Sequence, residues 1–293
     1  ITNKKLVSIT NHAFHTVNDI YNNWNPSSEI SALNNWPINT PFETSDELYR
    51  IIQESIHLHK ITNGYFNPCM GNVVNAWREA HNSNRYLTKQ TITELKQQIN
   101  VSNIVCQPPN KIIKRDHLAF DLCAMIKGYT VDMITEKLTH AGVKNVLVSW
   151  GGEVSCLGHA DKKNEWEIGL MSGNPAVQIA VIKTNKSSFA TSGSSENQWS
   201  ALHEGRETQF SHIINPHTCE PIKSDSNQIN TAICESSTCF FADTIATCAM
   251  IMNDTDYNRW LATVKTNSHE PFICRRYKKN PPHTTTHTLN ELP

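Results

Sequence analysis

Apolar residues along the chain recur with two periods, and the first clear one is helical. From Asp46 to His59 the positions Leu48, Ile51, Ile52 and Ile56 fall on one face, and Asn63-Gly64 supplies the stop. A second helix is expected over about 88–99, where Ile92, Leu95 and Ile99 form a stripe, with a Pro108-Pro109 loop beyond it. From Tyr129 to Ala141 the residues Val131, Ile134, Leu138 and Ala141 recur at three and four; Gly142 ends that helix and Val146-Leu147-Val148 reads as a buried strand. Alternating Trp166, Ile168 and Leu170, then the β-branched run Ile179 to Ile182, predict two more strands around a turn at Gly173-Asn174-Pro175. Ser194 to Thr208 is polar and unpatterned and reads as a surface loop, and Arg275 to Pro293 reads as a basic, frayed tail. The fold class that follows is mixed α/β, an α+β arrangement carried by one domain over 1–274, with no internal repeat.

Composition narrows the function more than the fold. The 293 residues carry a net charge of -1, so no overall positive field recommends nucleic acid, and the 18% of charged residues is too low for a disordered tether. No run approaches the roughly 18 apolar residues that cross a bilayer, and Ile1 to Asn11 lacks the apolar core of a secretory signal. The nine cysteines are odd in number and include no CxxC pair, which argues against a disulfide framework and for small buried side chains kept reduced. His12 and His15, and His57 and His59, are close in sequence, but no spacing supplies the further ligands of a zinc cage.

Three segments could carry chemistry. In Ala242-Asp243-Thr244-Ile245-Ala246-Thr247 a helix would put Asp243 and Thr247 one turn apart on one face. A carboxylate and a hydroxyl converging in this way make half a site for a hard cation such as magnesium; equally, Asp243 could cap the helix and Thr247 bond back to it. Asp121-Leu122-Cys123-Ala124-Met125-Ile126-Lys127-Gly128-Tyr129 reads as a cationic turn entering a helix, where free amides, Lys127 and a close approach at Gly128 could receive an anion. Ser211-His212-Ile213-Ile214-Asn215-Pro216 sets a histidine in an extended run, as a proton exchanger or a structural residue.

In this order the segments resemble the ApbE family of FAD:protein FMN transferases. Trp24 to Ser31 is similar to the family's aromatic turn with its Ser-Glu-Ile-Ser run, and Thr62 to Trp77 is similar to its T-x-G-x-F-D-P-x-x-G-x-L-V-x-x-W stretch. Asp121 to Tyr129 resembles D-L-S-A-I-A-K-G-Y, Val148 to Glu153 the strand ending in Gly-Gly-Glu, Ala190 to Gly193 the A-T-S-G run, the His212 segment S-H-I-I-D-P-x-T-G-x-P, and Ala242 to Thr247 the run A-D-A-L-A-T.

The resemblance implies a fold of mixed sheets packed against helices, with an FAD cleft between the sheet and helical parts. It implies Mg2+ on the Ala124 carbonyl, Asp243 and Thr247; FAD as substrate, lined by Trp24, Tyr65, Phe66, Asn67, Asp121, Lys127 and Ile214; and His212 as the group that moves the proton. The partner it implies is an acceptor flavoprotein with a Ser or Thr flavinylation motif, AMP being released. Hydrolysis of FAD to FMN and AMP, or flavin binding without catalysis, stand as alternatives. Four positions depart from the family pattern: Asn67 for Asp, Cys123 for Ser, Asn215 for Asp and Cys219 for Gly. The family's opening strand with Met-Gly-Thr has no counterpart, since the chain starts inside the helix that follows it. The family's exported members imply the periplasmic face of the bacterial inner membrane, with any membrane attachment through an anchor outside this sequence, whereas nine unpaired cysteines fit a reducing cytoplasm.

Overall fold

The protein is described from a computed structural model over residues 1–161, 164–171, 178–194, 198–224 and 229–278. The turn expected at 173–175 lies outside these residues.

The first half is mainly helical. Helix α1 (Asn3–Thr16) runs into a π-helical turn (Val17–Tyr21), and α2 (Glu29–Asn35) starts where the Ser28 hydroxyl accepts the Ser31 amide. Helix α3 (Asp46–Ile61) follows the expected periodicity and buries Leu48, Ile51, Ile52 and Leu58. Helices α4 (Gly71–Asn82) and α5 (Lys89–Gln97) contact one another and bury residues in the same core. A small antiparallel sheet in the order β1-β3-β2 closes this half, from β1 (Phe42–Glu43), β2 (Ile104–Gln107) and β3 (Lys111–Lys114), with Pro108-Pro109 in the β2–β3 turn.

Helix α6 (Cys123–His140) starts a turn and a half before the predicted Tyr129, because the apolar stripe detects only the part that faces the sheet. Lys127 and Gly128 are therefore inside a helix, not in a turn that precedes one. Then come β4 (Val146–Trp150), β5 (Glu153–Leu157), β6 (Trp166–Met171), β7 (Gln178–Thr184) and β8 (Lys186–Gly193). The segment read as a loop at 194–208 instead holds β9 (Trp199–His203) and the start of β10 (Arg206–Asn215), a hairpin turning at Glu204-Gly205. Its inward residues Trp199, Ala201 and Phe210 are too sparse to register as a strand pattern, yet all three are buried. After β11 (Glu220–Lys223) and β12 (Ile229–Ser236) come α7 (Cys239–Ala249), α8 (Asp254–Asn267) and β13 (Phe272–Lys278). The tail expected from Arg275 is thus strand as far as Lys278, paired to β12.

Five antiparallel strands in the order β13-β12-β8-β5-β4 form the main sheet. Its alternation separates two layers. Phe189, Ile233 and Cys156 face the β6–β7 hairpin, where they meet Ile168, Leu170, Ala180 and Ile182. Ala190, Ala232 and Cys234 face the helical core with α7. Glu153 pairs with Ala190 across β5 and β8, so it too points to the helix side, as does Ser192. A third sheet, β11-β10-β9, carries His212. Among the described residues no helix is long and apolar enough to cross a membrane.

Candidate active site

Helix α7 is apolar nearly all round and buried except at the half-buried Phe240 and Thr247, yet it carries Asp243 at 1% exposure in its second turn. A buried carboxylate has to be paired. Asp243 does not cap its helix, whose first amides at Cys239 and Phe240 instead donate to the Asp132 carboxylate of α6 at 2.9 and 2.8 Å. Asp243 reaches across to α6. Its Oδ2 accepts the Gly128 amide at 3.0 Å and its Oδ1 accepts Lys127 Nζ at 3.3 Å. In a regular helix the Gly128 amide points at the Ala124 carbonyl four residues back, so that carbonyl and the Asp243 carboxylate flank one N–H. Gly128 makes this contact possible: a Cβ there would lie 2.3 Å from the Cys239 carbonyl oxygen. The glycine serves helix–helix packing, not the approach of a ligand to an open turn.

Lys127 makes a second, closer ion pair with Glu153, which is fully buried. Glu153 stands at the β4–β5 turn, whose Gly151 and Gly152 take φ values of +64° and +98°, a conformation open to glycine. Burial, then the Asp243 carboxylate, pushes the Glu153 carboxyl up to about 8, although Lys127 draws it back. Burial likewise raises Asp243, against the pull of Lys127 and the Gly128 amide. For Lys127 burial alone would lower the ammonium, but Asp243 and Glu153 outweigh it and hold it at about 12. One turn further along α7, the Thr247 hydroxyl bonds not to its own helix but to Ser192 Oγ of β8, at 3.0 Å.

Two carboxylates thus share one ammonium in a buried pocket, and Glu153 Oε2 has no partner. No three His, Cys, Asp or Glu side chains gather as a metal cage among the described residues. The donors present are a backbone carbonyl, a carboxylate and a hydroxyl, all hard oxygens, beside a net negative charge, which suits magnesium. The residues fit that ion.

The other expected residues form a second group around the start of α6. Asp121 accepts the Cys123 amide at 2.9 Å and the Asn23 side chain at 3.0 Å, and its own amide donates to the Pro68 carbonyl at 2.8 Å. Those bonds join the turn holding Trp24 to the loop holding Asn67. Trp24 is half exposed, with the Arg78 guanidinium 4.1 Å from its ring centroid. Asn67 is nearly buried and commits both ends, donating to the Ile99 carbonyl and accepting the Cys69 amide. Phe66 is packed into the core, whereas the half-buried Tyr65 lies edge-on to His217 at 4.4 Å. That ring contact ties the loop to the β10–β11 turn. His212 is exposed on β10 and Ile214, two residues on, is half-buried against the core; both belong to the third sheet and not to the sheet beneath Asp243.

Glu153, Ser192, Asn23 and Arg78 were not singled out from the sequence. Glu153 had a signal, since it ends the Gly-Gly-Glu run, and Ser192 lies in Ala-Thr-Ser-Gly. Asn23 and Arg78 had none beyond their neighbours Trp24 and Trp77.

Comparison with known proteins bears on this arrangement. The ApbE family profile matches residues 4–270. The FAD:protein FMN transferase of Chlamydia pneumoniae is 30% identical over 239 residues, 81% of this chain and 73% of that protein. A mutant of the flavin transferase ApbE from Vibrio cholerae superposes with a TM-score of 0.79 at 25% identity, covering 95% of this chain and 89% of that one. The ApbE protein of Thermotoga maritima reaches the same TM-score at 20% identity over 94% of this chain and 90% of its own, a likeness of fold.

Proposed function

We propose a function that proceeds from the family, for this chain belongs to the ApbE family: it cuts FAD and moves the FMN half onto a Ser or Thr hydroxyl of an acceptor protein, releasing AMP. The observation that carries the reading is the buried group of Asp243, Lys127 and Glu153 between α6, α7 and β5, an investment in charge that folding alone does not require.

In this reading the Ala124 carbonyl, Asp243 and Thr247 hold magnesium. The ion, when bound, neutralises charge on the phosphoryl oxygens of FAD. Lys127 presents its ammonium to the diphosphate from the second turn of α6. Asp121, Asn67, Phe66, Tyr65 and Trp24 form the wall in which the flavin dinucleotide lies, and Ile214 closes it from β10. His212, exposed on that strand, takes the proton from the acceptor hydroxyl as it attacks phosphorus, and the bond to the AMP side breaks. Positioning and charge supply more of the rate than proton transfer, which contributes about 10²- to 10⁴-fold.

The test incubates the protein with FAD, magnesium and an acceptor peptide bearing Ser or Thr, and reads AMP together with the peptide's mass. AMP plus a gain of the FMN mass less one water is the expected result. AMP without a mass shift makes the chain an FAD pyrophosphatase, and no AMP makes it a flavin binder.

A further inference from the structure

Both oxygens of Asp243 already accept a hydrogen bond. Oδ2 accepts the Gly128 amide at 3.0 Å, and Oδ1 accepts Lys127 Nζ at 3.3 Å. A divalent ion that binds this carboxylate sets two positive charges beside the ammonium at Oδ1, and their repulsion drives the ammonium off that oxygen. Where the ammonium then goes is decided by its other bond. We propose that Glu153 is the positioning residue of this site: it retains Lys127 when a divalent cation takes Asp243, so that the ammonium turns about Glu153 onto a bound diphosphate instead of leaving into water. The inference rests on the reading of Asp243 as the metal's carboxylate ligand.

Three features support it. The two ion pairs of Lys127 are unequal, the one to Glu153 being the closer, so Asp243 is the partner a competing cation removes. Glu153 is immobile by construction: fully buried, paired to Ala190 in the ladder and fixed by the Gly151-Gly152 turn, whereas Lys127 keeps 37% of its side-chain surface open. Glu153 Oε2 is buried and has no partner, and a Cβ on Gly151 would sit 3.1 Å from it and 3.5 Å from Lys127 Cδ. Oε2 thus gives the ammonium a second acceptor on the same carboxylate, beside a residue that carries no side chain of its own. Charge agrees as well. With both carboxylates ionised, as the bound cation requires, they and the ammonium leave one negative charge, which a divalent cation turns into one positive charge facing the dianionic diphosphate.

The test uses the full chain without FAD or acceptor. Magnesium uptake is followed by calorimetry, and exposure of Lys127 by acylation with an amine reagent and mass mapping. In the unaltered protein magnesium should leave Lys127 labelling within about twofold, because Glu153 still holds the ammonium; in Glu153→Gln magnesium should raise it about tenfold. Lys127→Met, which removes the competitor, should bind magnesium about tenfold more tightly. Glu153→Asp, keeping the charge on a shorter stem, should label between the two, and it carries the test if Glu153→Gln fails to fold by circular dichroism. Equal labelling of Glu153→Gln and the unaltered protein in magnesium, no gain in affinity for Lys127→Met, or no magnesium uptake by the unaltered protein overturns the proposal. Absence of AMP in the transferase assay, with these titrations as expected, would instead sink the transferase reading and leave the tether standing.

Discussion

Replacing Gly128 by Ala tests how the site is held together. The added Cβ would fall 2.3 Å from the Cys239 carbonyl oxygen, 2.6 Å from its carbon and 2.8 Å from the Phe240 nitrogen. All three are backbone atoms, so no side chain can swing away, and α7 has to withdraw from α6 by about 1 Å to restore ordinary contact. Overpacking of this kind costs about 1–3 kcal/mol. Alanine returns about 1 kcal/mol over glycine in a helix interior. With backbone on both sides the upper end of the cost applies, leaving a net loss of about 2 kcal/mol. At about 2–4 °C per kcal/mol the thermal midpoint should fall by about 4–8 °C. The same withdrawal stretches the bond from the Gly128 amide to Asp243, so magnesium uptake should weaken alongside stability. Gly142→Ala is the control, because Gly142 has a φ of +88° with nothing within 4 Å of its Cβ position. It should lose about 1 kcal/mol through backbone strain and leave magnesium binding unchanged. A Gly128→Ala protein that unfolds at the original temperature or above, with unaltered magnesium uptake, would refute the α6–α7 contact as the frame of the site.

Other outcomes follow from the same geometry. Asp243→Asn should depress AMP release from FAD more deeply than His212→Ala, whose loss should be about 10²-fold, and steady-state rates at saturating magnesium decide the order. Glu153 makes the metal-free protein pH-sensitive. Its carboxyl is raised from 4.5 to about 8, so its contribution to stability is complete below pH 4.5 and is lost as pH rises through about 8. Lys127, raised from 10.5 to about 12, contributes fully throughout that window. The thermal midpoint without metal should therefore fall from pH 5 to 8, and the slope should shrink in Glu153→Gln; an identical slope in that variant would remove Glu153 as its source. Magnesium needs the ionised carboxylates, so its apparent affinity should climb with pH and level off above about 8, read by calorimetry at each pH. Asp132→Asn leaves one of the two amides at the start of α7 without an acceptor, and denaturant unfolding should show a loss of about 1–2 kcal/mol.

Much of this architecture was legible because helices betray themselves by period. Helix α3 matches its stripe, and the mismatch of a turn and a half at α6 arises because Cys123 to Gly128 face a second helix, where small and charged residues pack and no apolar stripe is needed. The β9–β10 hairpin escaped notice for a related reason: its inward residues, Trp199, Ala201 and Phe210, join an aromatic cluster with Trp77 and Tyr86 supplied by α4 and the segment after it, so most of its burial is provided from elsewhere in the chain. The pairing of Asp243 with Lys127 could not be read from spacing, since 116 residues separate them. Only the resemblance put both in one site. Glu153 was harder still, for a buried glutamate on a strand shows no periodic signal and gains its meaning from Lys127.

The four departures from the family pattern acquire different weights in the structure. At 67 a carboxamide does what a carboxylate cannot, donating to the Ile99 carbonyl while accepting the Cys69 amide, so Asn67 is fitted to its own loop. Asn215 accepts the His217 amide at 2.9 Å, a bond that Asp would make equally well. Cys219 takes a φ of +59°, the left-handed conformation that suits the family's glycine, at a cost of about 1–2 kcal/mol for a residue with a Cβ. Its side chain is wholly buried, and its carbonyl receives the Trp77 indole at 2.7 Å. Burial of the thiol offsets part of that strain, and the turn keeps its hold on α4. Cys123 alone stands beside the chemistry, its Sγ 3.9 Å from Asn23 Oδ1 and its amide on Asp121, and there a thiol replaces a hydroxyl with a weaker donor. None of the four touches Asp243, Thr247, Lys127 or Glu153 through a hydrogen bond among the described residues, so the substitutions leave the buried charges of the proposed site as they are.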